Sequence, residues 1–169
     1  MTVEKIYFDM DGVLADFERG VRELCHLEPQ SQNGKRSAKA DDLMWEAIGK
    51  VDHFYDRLEP LPGAKEMFDA VCGKYGDRVE ILTGVPRAER GLVTAADDKK
   101  KWMARMLSGQ VKVNAVCRKE KQQYCRGPAT ILIDDREKSI QEWRDLGGTG
   151  ILHVSAEETM EEMKKLGVL

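Results

Sequence analysis

Apolar positions along this chain alternate repeatedly between two periods. Lys5-Ile6-Tyr7-Phe8 is a short β-prone run ending at an acid, Asp9, and predicts strand 1. From Asp16 the spacing turns helical: Phe17, Val21, Leu24 and Cys25 share one face, and Pro29 is placed to close the helix. Residues 30–40 are polar, contain glycine and read as a loop. Asp41 or Asp42 can then cap a short helix carrying Leu43, Met44, Trp45 and Ile48. The aromatic cluster His53-Phe54-Tyr55 and a rigid turn, Glu59-Pro60-Leu61-Pro62-Gly63, lead to a further stripe of Ala64, Met67, Phe68 and Val71.

Residues 78–83 predict strand 2. Thr94 and Asp97 have capping-box form ahead of a helix with Trp102, Met103, Met106 and Leu107. Residues 111–116 alternate cleanly as strand 3, and the wholly apolar run 130–133 is strand 4, leading into Asp134-Asp135. A helix with Ile140, Trp143 and Leu146 stops at Gly147-Gly148, residues 151–154 form strand 5, and Ser155 opens a last helix ending at Gly167.

Strands alternating with helices imply an α/β fold, a Rossmann-like parallel sheet of about five strands flanked by helices. Strand 4 agrees, because a continuous apolar run implies burial on both faces. The stretch 16–77 is too long for one crossover helix. It reads as a small helical cap inserted after strand 1, with residues 1–15 and 78–169 forming the core domain.

Composition narrows the function. The chain has 169 residues, 41% hydrophobic and 34% charged, with net charge −3. An acidic balance argues against polymeric nucleic acid or an anionic membrane as partner. No apolar run approaches the ~18 residues needed to span a bilayer. The opening MTVEKIYFD lacks a signal-peptide core, so a cytoplasmic protein is expected. Cys25, Cys72, Cys117 and Cys125 form no CxxC pair and read as reduced thiols.

The chemistry gathers at three strand ends. Asp9 and Asp11 are two apart, so their side chains can converge at the carboxyl edge of strand 1, where open α/β sheets bind ligands. Gly12 allows a sharp turn there. Two adjacent carboxylates invite a hard, oxygen-liganded cation such as magnesium. Asp134-Asp135 repeats the arrangement after strand 4, although either could simply cap the next helix. Thr83-Gly84 at the end of strand 2 is a compact binder of phosphate oxygens. A balancing cation is sought in Arg118-Lys119-Glu120-Lys121, with Lys121 preferred over Lys119. Lys99-Lys100-Lys101 reads as the solvated face of its helix.

In this order, DxDGV, Thr, Lys and DD resemble the four motifs of the haloacid dehalogenase-like (HAD) phosphatase superfamily. The opening DMDGVLADFE is similar, more narrowly, to the 5′(3′)-deoxyribonucleotidases. The resemblance implies Asp9 as nucleophile and Asp11 as general acid and base. It implies Thr83 and Lys121 at the phosphate, with Gly84 standing where that family often carries Ser, and a Mg2+ site from Asp9, Asp11 (through its carbonyl) and Asp134, with Asp135 supporting. Phe17 matches the aromatic that contacts the substrate base. The substrate so implied is a nucleoside monophosphate. A phosphatase for a sugar phosphate, a phosphomutase, a non-catalytic phosphate binder and a phospho-accepting signalling module are the competing readings. The signalling layout differs, because receiver domains pair their acids after strand 1, phosphorylate after strand 3 and lack a cap.

Overall fold

The computed structural model describes all 169 residues. Five strands form one parallel sheet in the order β3-β2-β1-β4-β5. They are β1 (Lys5–Phe8), β2 (Val79–Val85), β3 (Lys112–Cys117), β4 (Thr130–Asp134) and β5 (Thr149–Leu152). The sequence therefore identified every strand. Its bounds moved by at most two residues, the usual uncertainty where pairing frays. Every residue of β4 is buried, as its unbroken apolar run requires, whereas edge strand β3 is largely open.

Helices α1 (Phe17–Cys25), α2 (Ala38–Gly49), α3 (Ala64–Tyr75), α4 (Ala95–Met106), α5 (Glu137–Asp145) and α6 (Ala156–Lys165) connect and cover the strands. Three helix ends differ from expectation. Helix α1 stops at Cys25, well before Pro29, because His26 turns into the left-handed region with φ 55°. Helix α2 starts earlier than Asp41, since the Ser37 hydroxyl accepts from the Ala40 amide and caps it first. Thr94 does not close a capping box. Its hydroxyl donates instead to the buried Asp98 carboxylate at 2.7 Å.

Within the segment 16–77, the elements divide by what they touch. Phe68 of α3 packs its ring 5.7 Å from that of Phe8, and the Tyr75 hydroxyl donates to the Val168 carbonyl, so α3 lies on the sheet beside α6. Helices α1 and α2 and the 3-10 turn Phe54–Arg57 instead flank the carboxyl edge of the sheet. This upper layer is fastened to α4: Trp102 Nε1 donates to the Leu58 carbonyl at 2.7 Å, and Arg105 reaches Asp56. Phe17, Trp45, Phe54 and Tyr55 form its aromatic interior, with centroids 5.3–6.3 Å apart among contacting rings. No helix is long and apolar enough to cross a membrane.

Because Phe68 is almost completely buried between α3 and the sheet, Phe68→Ala should cost about 3–5 kcal/mol of unfolding free energy. Urea denaturation of the two proteins checks this, and a loss below about 1 kcal/mol would show that α3 does not help cover the sheet.

Candidate active site

Register places the acids. Phe8 pairs with Ile133 across β1 and β4, and the Asp9 amide donates to the Ile133 carbonyl at 2.9 Å. Asp9 therefore stands level with Asp134, each at the carboxyl end of a buried strand. Carboxylate oxygens of Asp9, Asp134 and Asp135 lie within 4.8 Å of one another. Lys121 enters from the 3-10 helix Arg118–Tyr124. It donates to Asp9 Oδ1 and to Asp134 Oδ2, both at 2.9 Å, and is itself buried. Lys119 is exposed and forms no ion pair in this arrangement.

Electrostatics follow from burial. Burial first, then the neighbouring Asp134, hold the Asp9 carboxyl well above the ordinary carboxylate range, and Lys121 only partly offsets them. Burial, Asp9 and Asp134 do the same to Asp135. Burial alone would lower the Lys121 ammonium, but Asp9 and Asp134 reverse the sign and raise it. One buried lysine thus faces three crowded acids, and the cluster is short of positive charge.

The oxygens are not equally committed. Asp134 accepts from Lys121 through Oδ2 and from the Arg136 amide through Oδ1 at 2.9 Å. Asp135 Oδ1 and Asp11 Oδ1 are buried and have no hydrogen-bond partner. Gly12, at φ 81°, lies so close to Asp135 that any Cβ would collide with its carboxylate. Asp135, expected only in support, is thus a full member of the acidic cluster. Hard carboxylate oxygens, one of them orphaned, are the donor set that a divalent magnesium ion takes.

Two connected hollows open at this edge. A small cavity of about 30 Å³ has Asp9, Asp11, Gly84, Lys121 and Asp134 on its walls. A wide cleft of about 940 Å³ extends from it towards Phe17, Trp45 and Tyr55. Of the residues named from sequence, these hollows gather all but one. Thr83 is fully buried and sits one contact behind the wall.

A model of the family described as 5′ nucleotidase, deoxy (pyrimidine), cytosolic type C protein (NT5C) matches residues 2–164. The chain belongs to this family. It is accordingly an enzyme, a HAD-type phosphatase. No curated protein matches it significantly. Among solved structures, a HAD family hydrolase from Deinococcus radiodurans R1 with bound phosphate and sodium superimposes with TM-score 0.64 at 12% identity, covering 99% of this chain and 97% of that one. A hydrolase from Streptococcus pneumoniae TIGR4 gives 0.53 at 12% identity, covering 97% and 100%. An L-2-haloacid dehalogenase from Xanthobacter autotrophicus with covalently bound chloropropionic acid gives 0.51 at 12% identity, covering 99% and 85%. At these identities the structures share the fold.

The phosphatase corrects one reading outright. Lys99 is not on a solvated face but fully buried, with its ammonium on Asp11, Thr83 and Gly84. The signal was present: Ala95, Lys99, Trp102, Met103 and Met106 fall on one helical stripe, which puts Lys99 among the apolar residues. Lys100 and Lys101 are the exposed members of the run. Arg118 and Arg136 also reach the small cavity, and neither guanidinium has an acid partner there. Each adjoins a motif the sequence reading had marked. Asn33, by contrast, had no local signal. Its side chain donates to the Asp135 carbonyl at 3.0 Å and accepts from the Glu137 amide at 2.9 Å, a contact 102 residues away in sequence in the first case. Capping of α5, the alternative reading for Asp134 or Asp135, is thus shared: Asn33 accepts from the Glu137 amide and Asp134 from the Arg136 amide.

Two outcomes follow from these geometries. Magnesium relieving the acid cluster should raise the melting temperature saturably, by several degrees at ~100-fold excess over the dissociation constant. Asp135→Asn should abolish that rise, as followed by calorimetry; an unchanged rise would exclude Asp135 from the site. His153 is buried, its Nδ1 is 2.7 Å from the Thr159 hydroxyl, and burial pushes its pKa down to about 4 from 6.5. The folded ring stays neutral while the unfolded one gains a proton below 6.5. Stability should therefore be unaffected above that pH and fall between about 6.5 and 4, by up to ~1.4 kcal/mol per pH unit. Chemical denaturation across that range should show a shallower fall for His153→Gln; equal slopes would refute the assignment.

Proposed function

We propose that this phosphatase is a magnesium-dependent 5′(3′)-deoxyribonucleotidase that works through an aspartyl phosphate on Asp9. The observation that carries the reading is the Asp9 carboxylate. Lys121 holds its Oδ1 at 2.9 Å, no hydrogen bond engages Oδ2, and the residue lines the small cavity at the foot of the cleft. Family membership supports the nucleotide, and the cleft suits it.

The substrate phosphoryl group enters the small cavity, where Lys121, Arg118 and Arg136 balance its charge. Asp9 Oδ2 attacks phosphorus in line as the ester P–O bond breaks, which splits one difficult hydrolysis into two easier steps. Asp11, on the wall of the small cavity, gives its proton to the departing alkoxide. It then takes a proton from the water that attacks the aspartyl phosphate, releasing inorganic phosphate and restoring Asp9. Asp9, Asp134 and Asp135 would hold magnesium, with the Asp11 carbonyl as a further oxygen implied by the resemblance. When bound, the ion supplies positive charge to the non-bridging oxygens and favours ionised Asp9.

The cleft would receive the nucleoside. Phe17 and Tyr55 present rings 6.3 Å apart at an interplanar angle of 24°, with Trp45 beside them, on one wall of the cleft. Stacking on such a surface contributes ~1–3 kcal/mol per base. A cap closing over this space would exclude bulk water from the phosphoryl group.

With magnesium, deoxyribonucleoside 5′- and 3′-monophosphates should be hydrolysed faster than ribonucleotides or sugar phosphates, and chelation should remove the activity. Asp9→Asn should lower kcat by at least ~10³-fold, and Lys121→Ala far more than Lys119→Ala. Release of inorganic phosphate across this panel measures each. Preference for sugar phosphates would reject the nucleotidase reading, and full activity of Asp9→Asn would reject the covalent one.

A further inference from the structure

The reaction just described leaves Lys99 without a task, although it is the most deeply placed charge at the site. Its side chain is fully buried in α4. Its ammonium donates to Asp11 Oδ2 at 2.8 Å, to Thr83 Oγ1 at 2.9 Å and to the Gly84 carbonyl at 2.7 Å. An ammonium has three N–H donors, so all are committed and none remains for a ligand. Lys99 lines neither the small cavity nor the cleft. Its nitrogen also lies 4.5 Å from the centroid of the Tyr55 ring, inside cation–π range.

These contacts have a directional consequence. The terminal torsion of an aspartate is broad and nearly two-fold, so an unheld carboxylate exchanges its oxygens freely. Here Oδ2 is tied to Lys99 and Oδ1 is buried with no partner. The carboxylate is thereby fixed in one orientation on the wall of the small cavity. Thr83 is oriented in the same way: its oxygen accepts from Lys99, so its own O–H proton must point elsewhere. A fold that needed only volume at this position would be served as well by an apolar side chain, because burying an ion pair contributes little net stability.

We propose that Lys99 is a positioning residue for the phosphatase reaction, its ammonium holding the Asp11 carboxylate in the one orientation in which it meets the leaving oxygen. The proposal rests on Asp11 as the general acid and acts wholly through it.

General acid catalysis matters most when the departing group is a poor one. An alkyl phosphate must receive a proton as its P–O bond breaks, whereas a 2,4-dinitrophenyl ester departs without one. The test compares kcat/KM, which reports formation of the aspartyl phosphate, for wild type and Lys99→Met with both ester types. The alkyl ester is whichever nucleotide or sugar phosphate the wild type turns over, so failure of the nucleotide assignment leaves the comparison intact. Lys99→Met should lose at least tenfold on the alkyl ester and less than threefold on the dinitrophenyl ester. Lys100→Met, on the exposed side of α4, should match wild type on both. Equal losses on the two esters, or no loss on either, would overturn the proposal. Should Lys99→Met not fold, Lys99→Gln takes its place with the same expectation. Failure of both to fold would assign Lys99 to stability and overturn the proposal as well.

Discussion

Negative charge packed onto one edge of a sheet is the constraint on which the rest of this molecule turns. Asp9, Asp134 and Asp135 bring carboxylate oxygens within 4.8 Å of one another, the first two buried and Asp135 half-buried with one oxygen out of reach of water. Each desolvated carboxylate costs several kcal/mol unless countercharge is supplied at close range. The protein supplies it sparingly. Lys121 bridges Asp9 and Asp134, Lys99 serves Asp11, and Asp135 keeps an unpartnered oxygen. Such a site is held ready for a cation and an anion to enter together, a magnesium ion and a phosphoryl group in the proposed reaction.

The scaffold makes that crowding possible by separating where stability resides from where charge resides. Strand β4 throughout and β1 from Ile6 onward are buried and paired in register, so that apolar burial below fixes the acids above. The acids extend only one or two residues past the strands. Their freedom is small, and Gly12 is the point where the chain must bend away without a side chain to admit Asp135.

The upper layer is joined to the same edge from two sides. Trp102 and Lys99 of α4 reach Leu58 and Tyr55, and Asn33 reaches the Asp135 carbonyl and the start of α5. The Lys99 contact ends on Tyr55, which lines the cleft, and the Asn33 contacts end on the chain that carries Asp135. This layer is thereby tied to the edge that carries the acids, through hydrogen bonds and one cation–π contact.

Much of this was readable one residue at a time. The period of apolar positions revealed five parallel strands and their order along the chain. The unbroken run before Asp134 marked a central strand, and acids directly after buried strands marked the edge where chemistry gathers. These are local properties, because the two-residue and 3.6-residue repeats declare which face is buried. What only the tertiary structure decided were pairings between distant groups of opposite charge. A sequence does not say which of several lysines crosses to which acid, since that depends on helix placement over the sheet. Lys121 lies 112 residues from Asp9, and Lys99 lies 88 from Asp11. Packing of α4 turned a lysine in a run of three inward, and the same packing left its two neighbours in water.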